Sequence, residues 1–291
     1  MAPARSWREY VELCKPRVVV LLVFTAVVGM FLAAPGWVPW QALIFGSLGI
    51  GLGAASGAAI NHIVDQRADS VMVRTRRRPL PTGRMDATSA LVFAALLCVL
   101  SMVVLVTMVN ALTALLTLAA MVGYSVVYTI FLKRATPQNI VIGGAAGAMP
   151  PVLGWSAVTG TLDAQSLLLF LIIFAWTPPH FWALAIHRCN DYARANVPML
   201  PVTHGIEYTR LQILLYTVLL VLVSMLPFVT HMSGLFYLLA ALILGGIFLH
   251  YAINLYRGRD DGLPLRTFVF SIYYLMGLFS ALLVDHYLLL W

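Results

Sequence analysis

The chain has little charge and few cysteines. Only 10% of its 291 residues are charged, and 11 acidic residues stand against 18 lysines and arginines. So little charge excludes an ordinary soluble domain. The three cysteines, Cys14, Cys98 and Cys189, are scattered along the sequence. They show neither the spacing of a disulfide framework nor that of a zinc site, which excludes both as the basis of the fold.

The chain is instead rich in apolar residues. They make up 61% of the chain, the mean hydropathy is +0.90, and long apolar runs recur from end to end. Such runs predict membrane-spanning helices, so we expect an all-α polytopic membrane protein with nine spans. The predicted spans are residues 18–34, 41–60, 90–109, 112–132, 140–158, 166–186, 211–229, 235–255 and 268–290.

The positive charges fall on one side of this predicted bundle. Four of them, Arg5, Arg8, Lys15 and Arg17, precede the first span, and the rest lie in the loops after the second, fourth, sixth and eighth spans. The positive-inside rule then places the N-terminus in the cytoplasm and the C-terminus outside, in a bacterial-type plasma membrane. The net charge of +7 therefore indicates topology and contact with anionic lipid headgroups, and we expect no nucleic-acid binding.

A polar motif follows the second span. Asn61, Asp65 and Asp69 recur every four residues and would share one helix face, with Arg74 and Arg78 shortly after them. Mg²⁺ suits such oxygen ligands, because it binds through one or two carboxylates and substrate phosphates, which arginines can clamp. The three side chains of this first motif are therefore candidate Mg²⁺ ligands. The alternative is a solvated acidic and basic turn beside the membrane.

A weak internal repeat covers most of the chain. A shift of 122 residues places the first four spans on the fifth to eighth, Asp69 on Asp191, and Gly83 on Gly205. Since four spans restore the starting orientation, the repeats would be parallel and related by an axis along the membrane normal, around a central cavity. The predicted parts of this single domain, residues 1–291, are repeats at about 15–135 and 137–257 and a ninth helix at about 267–290.

The repeat places a second polar cluster opposite the first motif, across a shared cavity on the cytoplasmic side. His187 and Asp191 stand where Asp65 and Asp69 stand in the first half. Asp191 is thus a fourth candidate metal ligand, directly or through water. His187 has no carboxylate, so we interpret it, with Arg188 beside it, as a substrate-binding group. The alternative for His187 is a helix-end residue that faces the headgroups.

An aromatic face in the fourth span leads towards the same side of the membrane. In an α-helix the side chains on this face would be Tyr124, Tyr128 and, one turn on, Phe131 or Leu132. The face leads down to Lys133 and Arg134, which we expect to bind substrate. The alternative is an aromatic belt with snorkelling cations, which is common at helix ends.

A double proline lies inside the sixth predicted span. Pro178 and Pro179 lack backbone donors, and breaks of this kind are tolerated in a membrane where they line a cavity or pack against protein. His180 follows directly, and an ionisable residue at this depth is by default a functional-site candidate. We therefore expect His180 to face the substrate.

Taken together, these motifs resemble those of the UbiA superfamily of intramembrane prenyltransferases. Its haem-farnesylating branch is indicated by Trp176-Thr-Pro-Pro-His180 and by Pro198-Met-Leu-Pro201. The residues that carry the resemblance are Asn61, Asp65, Asp69, Arg74, Thr75, Arg78, the stretches 128–139 and 176–186, and the run 191–201. The chain departs from the wider superfamily in its second acidic motif, which is reduced to Asp191.

The resemblance implies a reaction. Farnesyl would pass from farnesyl diphosphate to a vinyl group of haem b, with addition of water, to give haem O and diphosphate, with Mg²⁺ as the cofactor. Asp65 and Asp69 would hold the metal, and the allylic cation would be attracted by the faces of Tyr124 and Tyr128. The groups that would stabilise the leaving diphosphate are Mg²⁺, Arg74, Arg78, Lys133 and Arg134.

The resemblance assigns fewer residues to the side of the site that would bind the acceptor, haem b. Either His180 or Asp191 would position the water that quenches the cation on the haem, and the farnesyl tail would lie in an apolar cavity open to the lipid bilayer. Haem A synthase or assembly proteins of a terminal oxidase are expected as partner proteins.

Three other functions fit parts of the pattern. Prenyl transfer to an aromatic acid or quinone precursor would use the same diphosphate site with another acceptor pocket. A transporter would also have repeats and intramembrane polar residues, but the charged groups cluster at one membrane face only. A non-catalytic scaffold for respiratory-complex assembly would not need stacked carboxylates facing arginines.

Overall fold

The computed structural model describes residues 6–258 and 260–289, without the side chain of Leu289. The described chain is helical and contains no strand. In chain order the helices are α1 (Trp7–Leu13), α2 (Pro16–Ala33), α3 (Ala42–Val64), α4 (Gln66–Val71), α5 (Ala87–Met108), α6 (Ala111–Ala135), α7 (Asn139–Thr159), α8 (Ala164–His187), α9 (Cys189–Arg194), α10 (Leu200–Thr203), α11 (Gly205–Val229), α12 (Leu235–Tyr256) and α13 (Leu263–Leu289).

Nine of the helices in the described residues are long and apolar enough to cross a membrane; the other four, α1, α4, α9 and α10, are short. This confirms the predicted fold class and every predicted span. Helices α11 and α13 begin several residues before the predicted starts, because Glu207, Arg210 and Arg266 lower the local hydropathy but remain helical. Arg5, Arg259 and the predicted end of the ninth span at residue 290 lie outside the described residues.

The outward faces of the spans are apolar. Side chains such as Leu96, Val99, Leu115 and Ile243 are more than half exposed, although large apolar side chains are normally buried in a protein that is surrounded by water. Because lipid tails are as apolar as leucine, a bilayer accommodates these faces. The chain is therefore a multi-pass membrane protein.

Small residues let helices approach closely where the interior is most crowded. A Cβ added to Gly29 of α2 would overlap the backbone of Pro151 in α7, and one added to Gly154 of α7 would overlap the backbone of Ala26 in α2. Such small-residue contacts are the usual means by which membrane helices pack. They hold α2 against α7 in the middle of the bundle.

The double proline does not break α8. The helix runs without interruption from Ala164 to His187, and Pro178 and Pro179 lie inside it, both buried. In place of a cavity-lining break, the structure has a continuous helix: the hydroxyl of Thr177 donates to the carbonyl of Ile173 in the same helix at 2.8 Å, and its methyl group faces Gly144 of α7. The prolines therefore serve packing against protein, the second of the two expected roles.

The short helices and many lysine and arginine side chains lie at one end of the bundle, whereas Asp163 and Asp285 lie at the other end, at the starts of α8 and α12. Lys15, at the start of α2, reaches Asn61 near the end of α3, and Lys133, near the end of α6, reaches Asp65. Arg84, before α5, lies within 4.0 Å of Glu9 in α1. We call this the polar end. Lys15, Lys133 and Arg84 come from segments next to three different spans and lie at this same end of the bundle.

The two predicted halves have similar local structure at the polar end. Helix α3 is followed by the short helix α4, and α8 is followed in the same way by α9. Gly83 and Gly205, which correspond under the shift of 122 residues, both have a positive φ, 71° and 83°. Only glycine adopts this conformation without strain. The duplication of four spans itself stays a prediction.

Candidate active site

The first motif lies at the polar end, where the second span gives way to α4. Its three side chains are buried, with exposed fractions of 5% for Asn61, 3% for Asp65 and 4% for Asp69. The helix is interrupted at Asp65, but helix-type hydrogen bonds continue through it: Asp65 N donates to Asn61 O at 3.0 Å and Asp69 N to Asp65 O at 2.8 Å. The four-residue spacing therefore keeps the side chains stacked without one continuous helix.

Three cations from three different segments contact this motif. Lys133 Nζ is 2.5 Å from Asp65 Oδ2, Arg78 Nη1 is 2.6 Å from Asp69 Oδ2, and Lys15 Nζ donates to Asn61 Oδ1 at 2.5 Å. Buried carboxylates need such partners, because an uncompensated buried charge is strongly destabilising. The alternative, a solvated acidic and basic turn, is inconsistent with the burial of all three side chains of the first motif.

Lys15 was not among the predicted site residues. It stands immediately before Pro16 at the start of α2, with φ of 49°. Burial and the nearby Arg78 guanidinium lower the pKa of Lys15 to about 7, against the opposing pull of Asp65. A lone lysine at the foot of the first span was a weak signal, since cations there commonly snorkel to headgroups.

One oxygen of the motif has no protein partner. Asp65 Oδ2 accepts from Asn61 Nδ2 at 3.0 Å as well as from Lys133, whereas Asp65 Oδ1 is buried and has no hydrogen bond. A buried carboxylate oxygen without a hydrogen-bond partner lowers the stability of the fold, because its lost hydration is not replaced. Together with Asp69 it gives an oxygen-rich donor set of the kind that binds Mg²⁺, so the residues present fit this metal.

The structure does not bring the fourth predicted ligand to the other carboxylates. Within residues 6–258 and 260–289 no three Asp, Glu, His or Cys side chains converge closely enough to hold one metal ion. Asp191 is buried, but its charged neighbour is Arg194, with Nη1 3.8 Å from Oδ1. The described residues therefore form no ready-made site of three such side chains, and Asp191 as a ligand, directly or through water, stays a prediction.

The second cluster is nevertheless close to the first motif. Burial raises the pKa of the Tyr192 phenol, with Arg74 opposing the rise and Asp191 and Asp65 adding to it. Tyr192 therefore lies within electrostatic range of carboxylates from both clusters. A cavity of about 360 Å³ also separates the two loops; its lining residues are Arg67, Ala68, Val71, Arg134, Arg194, Ala195 and Asn196.

The remaining predicted substrate-binding groups, of which Arg134 alone lines this cavity, differ in their contacts. Arg74 is exposed and makes no hydrogen bond among the described residues, and His187 is likewise exposed at the end of α8. Arg134 is exposed and reaches the carbonyl of Val64 at 3.4 Å. Arg188 is half-buried, and its Nε atom is buried without a partner. These groups are available to an incoming ligand, whereas Lys133 and Arg78 already compensate carboxylates.

Helix α6 is wound as a π-helix from Gly123 to Leu132. An α-helix turns by about 100° per residue, so it would put Tyr124 and Lys133, nine residues apart, on opposite faces. In the structure both face α3: Tyr124 lies against Gly57, and Lys133 contacts Asp65. The wider turns of the π-helix account for this, and such segments are frequent at functional sites.

The π-helix also changes the predicted aromatic face. Tyr124 and Tyr128 stack with ring centroids 5.8 Å apart, as expected, and Tyr128 packs against Gly143 of α7. Phe131, in contrast, is 63% exposed and points away. Thr129 is fully buried instead. It was not among the predicted site residues.

Thr129 connects the aromatic face to the first motif. Its hydroxyl donates to the carbonyl of Tyr124 at 2.7 Å and accepts from Asn61 Nδ2 at 3.2 Å. Since Asn61 Nδ2 also donates to Asp65, both hydrogens of the amide are used. The carbonyl oxygen of Asn61 is therefore turned towards Lys15 and the site.

His180 lies in a different part of the bundle. Its ring stacks between Trp176 of α8, at a centroid distance of 4.1 Å, and Phe268 of α13, at 4.5 Å. Its Nδ1 atom is 2.6 Å from the Ser271 hydroxyl, and the residue is 7% exposed. His180 is thus held rigidly between α8 and α13, and no described contact joins it to the first motif.

The chain matches proteins of known type over almost its whole length. Residues 22–279 match the model of the UbiA prenyltransferase family. A relative from Nitrosococcus oceani, described as a protoheme IX farnesyltransferase, is 62% identical over 97% of this chain and 95% of its own. Another with the same description, from Marinobacter nauticus, is 64% identical over 97% of this chain and 93% of its own.

Solved structures share the fold at low sequence identity. A digeranylgeranylglyceryl phosphate synthase superposes with a TM-score of 0.79 at 19% identity, covering 96% of this chain and 98% of its own. A UbiA homologue from Archaeoglobus fulgidus, solved with DMAPP and Mg²⁺, has a TM-score of 0.63 at 17% identity, covering 94% and 99%. The family match, the full-length relatives and the common fold agree, and the chain belongs to the UbiA prenyltransferase family.

Proposed function

We propose that the protein transfers the farnesyl group of farnesyl diphosphate to a vinyl group of haem b, with addition of water, to give haem O and diphosphate. The observation that carries this proposal is the identity of more than 60% over nearly the whole chain to relatives described as protoheme IX farnesyltransferases. The geometry of the polar end supports it, because stacked carboxylates lie among cations at the membrane face.

The first motif and its cations form the donor site. Asp65 and Asp69 would bind Mg²⁺, with Asn61 supplying a further oxygen, since these buried donors leave Asp65 Oδ1 without a protein partner. Bound there, the metal would neutralise the charge that develops on the leaving diphosphate. Lys133 and Arg78 already lie within 2.6 Å of the two carboxylates and would stabilise the same anion.

Four further groups that contact no carboxylate complete the anion site. Arg74 and Arg134 are exposed at the edge of the polar end, and Arg188 and His187 stand on the facing cluster. Guanidinium groups bind phosphate oxygens in pairs of hydrogen bonds. We propose that these four bind the outer oxygens of the diphosphate.

Bond cleavage leaves a farnesyl cation beside the aromatic pair. The C1–O bond breaks with both electrons on the diphosphate, and the stacked faces of Tyr124 and Tyr128 attract the cation without forming a bond to it. The terminal carbon of the haem vinyl group then forms a bond to C1. Water adds to the other vinyl carbon and loses a proton, which completes the hydroxyethylfarnesyl group.

The acceptor would lie between the polar end and α13. His180 is fixed by Ser271 and two stacked aromatic rings, which suits a group that positions a planar substrate or the attacking water. Asp191, buried in the second cluster, is the other group proposed to position that water. Both stay proposals on the acceptor side of the site.

The direct test is the identity of the product. Purified protein in detergent with haem b, farnesyl diphosphate and Mg²⁺ should give a product heavier than haem b by the mass of farnesol, together with inorganic diphosphate. Removal of Mg²⁺ with a chelator should stop the reaction. Unchanged haem b, together with prenylation of an aromatic acid or quinone precursor in a parallel incubation, would contradict the proposed acceptor.

We also propose that the polar end faces the cytoplasm of a bacterial-type plasma membrane. The placement rests on the positive-inside rule, and we propose haem A synthase or oxidase assembly proteins as partners that receive the product. Reporter fusions after Leu132 and after Trp291 should report cytoplasm and exterior respectively. An exterior signal from the fusion after Leu132 would reverse the topology.

A further inference from the structure

His62 is a buried histidine without hydrogen bonds. It is 2% exposed, and both ring nitrogens, Nδ1 and Nε2, are buried and have no partner. Buried polar side chains are nearly always hydrogen-bonded, and each exception in a native structure calls for an explanation. The other deep histidine, His180, differs, because its Nδ1 atom bonds to Ser271. The unpartnered ring therefore points to a ligand.

The position of His62 places this ligand at the donor site. It follows Asn61 directly and stands one helical turn before Asp65, so its side chain is a neighbour of Asp65 on the helix surface. Three cations, Lys15, Arg78 and Arg74, lie within electrostatic range of the ring. Two of these also contact the first motif, Lys15 through Asn61 and Arg78 through Asp69.

The charges around the ring determine what kind of ligand fits. Three cations near the ring attract an anion. An imidazole carries at least one N–H in every protonation state, so it can donate a hydrogen bond to an anionic oxygen. Such an oxygen belongs either to the diphosphate or to a haem propionate, and the one-turn distance to Asp65 favours the diphosphate.

We infer that His62 is a binding residue for the diphosphate of the prenyl donor, its ring N–H donating to a phosphate oxygen between Lys15, Arg78 and Arg74. The inference rests on the proposed function and names a group in the donor site that the predicted set lacks. Two buried nitrogens without a protein partner cost stability, and the proposed hydrogen bond to the anion would offset part of that cost. That combination is typical of functional sites.

The test compares affinity with stability. Full-length protein in detergent is titrated with farnesyl thiodiphosphate, a non-hydrolysable donor analogue, in the presence of Mg²⁺, and separately with haem b followed by absorbance. His62→Phe removes both nitrogens and should weaken analogue binding about tenfold or more, the loss expected for one hydrogen bond to a charged group. Haem affinity should stay within twofold, and the melting temperature without ligand should not fall.

Two further variants sharpen the result. His62→Gln keeps an N–H donor at similar reach and should bind the analogue within about threefold of the unmodified protein. His250→Phe is the matched control, because His250 is an exposed histidine on α12 that contacts Asn254; it should change neither affinity. His62→Leu replaces the Phe variant if the larger ring lowers the melting temperature.

Asp69→Asn separates failure of this inference from failure of the proposed function. If Asp69→Asn weakens analogue binding but neither apolar variant of His62 does, the inference is wrong and the donor site stands. If Asp69→Asn also leaves analogue binding unchanged, the donor site is wrong as well. Loss of haem affinity alone in His62→Phe would overturn the inference by placing a propionate at the ring.

Discussion

The two polar clusters at the same end of the bundle differ in how their charges are matched. In the first, Asp65 and Asp69 are each paired with a cation within 2.6 Å. In the second, Asp191 alone is buried, and its partner Arg194 is 3.8 Å away and mostly exposed. In the first cluster, buried carboxylates are paired with cations and shielded from water. The second cluster has a single buried carboxylate without a close cation.

Under the predicted repeat, the second cluster would lack one acid and its paired cation together. Under the shift of 122 residues His187 replaces Asp65, and Leu255 replaces Lys133. Leu255 is 1% exposed. Because a buried cation without its carboxylate is strongly destabilising, the loss of one member of such a pair favours an apolar residue in place of the other. The comparison suggests one complete charge site and one reduced site.

The largest expected effect separates the two clusters directly. Asp65→Asn or Asp69→Asn should lower haem O formation by ~10²-fold or more, because each removes one charge from the group that stabilises the leaving anion. Asp191→Asn should cost about tenfold or less, since it lies outside that group. Equal losses in all three variants, with the same amount of protein in the membrane, would show that the clusters contribute alike.

The next effect distinguishes two adjacent cations of α6. Lys133→Gln removes the partner of Asp65 and should lower the turnover rate by about 10- to 100-fold, since it affects both the buried carboxylate and the anion. Arg134→Gln, its neighbour, should weaken donor binding but lower the turnover rate at saturating donor by no more than about threefold, because Arg134 is exposed and within the protein bonds only to a backbone carbonyl. Turnover with saturating Mg²⁺ measures both. A larger loss for Arg134→Gln would reverse their assigned roles.

A further prediction separates the donor from the acceptor region. His180→Ala should weaken haem binding or slow capture of the cation by about tenfold, yet leave Mg²⁺-dependent binding of farnesyl thiodiphosphate nearly intact. Sites without shared partners contribute nearly additively, and His180 contacts α13 rather than the first motif. Separate titrations with haem and with the analogue measure this. If His180→Ala weakens only analogue binding, the donor and acceptor regions are assigned the wrong way round. If it weakens the binding of both haem and the analogue, His180 has a role in folding.

The smallest effect concerns the orientation of Asn61. Thr129→Val keeps the shape of the side chain but removes the hydroxyl that holds the amide, so we expect about a fivefold rise in the Mg²⁺ concentration for half-maximal rate, the effect of one lost hydrogen bond. Thr129→Ser should restore the value to within about twofold. If Val and Ser behave alike, Thr129 does not orient Asn61.

The spans and the first motif could be predicted because they depend on local properties. Apolar runs determine the spans, and Asn61, Asp65 and Asp69 are close in sequence, so backbone geometry alone stacks them. Lys15 and Thr129 could not be predicted in the same way. Their contacts with Asn61 cross 46 and 68 residues, and the second depends on a π-helix, whereas an aromatic face is predicted with the period of an α-helix.

The position of Lys15 has a consequence for the order of synthesis. The contacts that define the donor site, from Lys15 through Asn61, Asp65, Asp69 and Arg78 to Lys133, all lie within residues 15–133. They therefore involve only α2 to α6, four spans that leave the growing chain on the side where it started. A ribosome that has released α6 has already supplied every member of this charge site, whereas the contacts of His180 with Phe268 and Ser271 form only after α13 has been made.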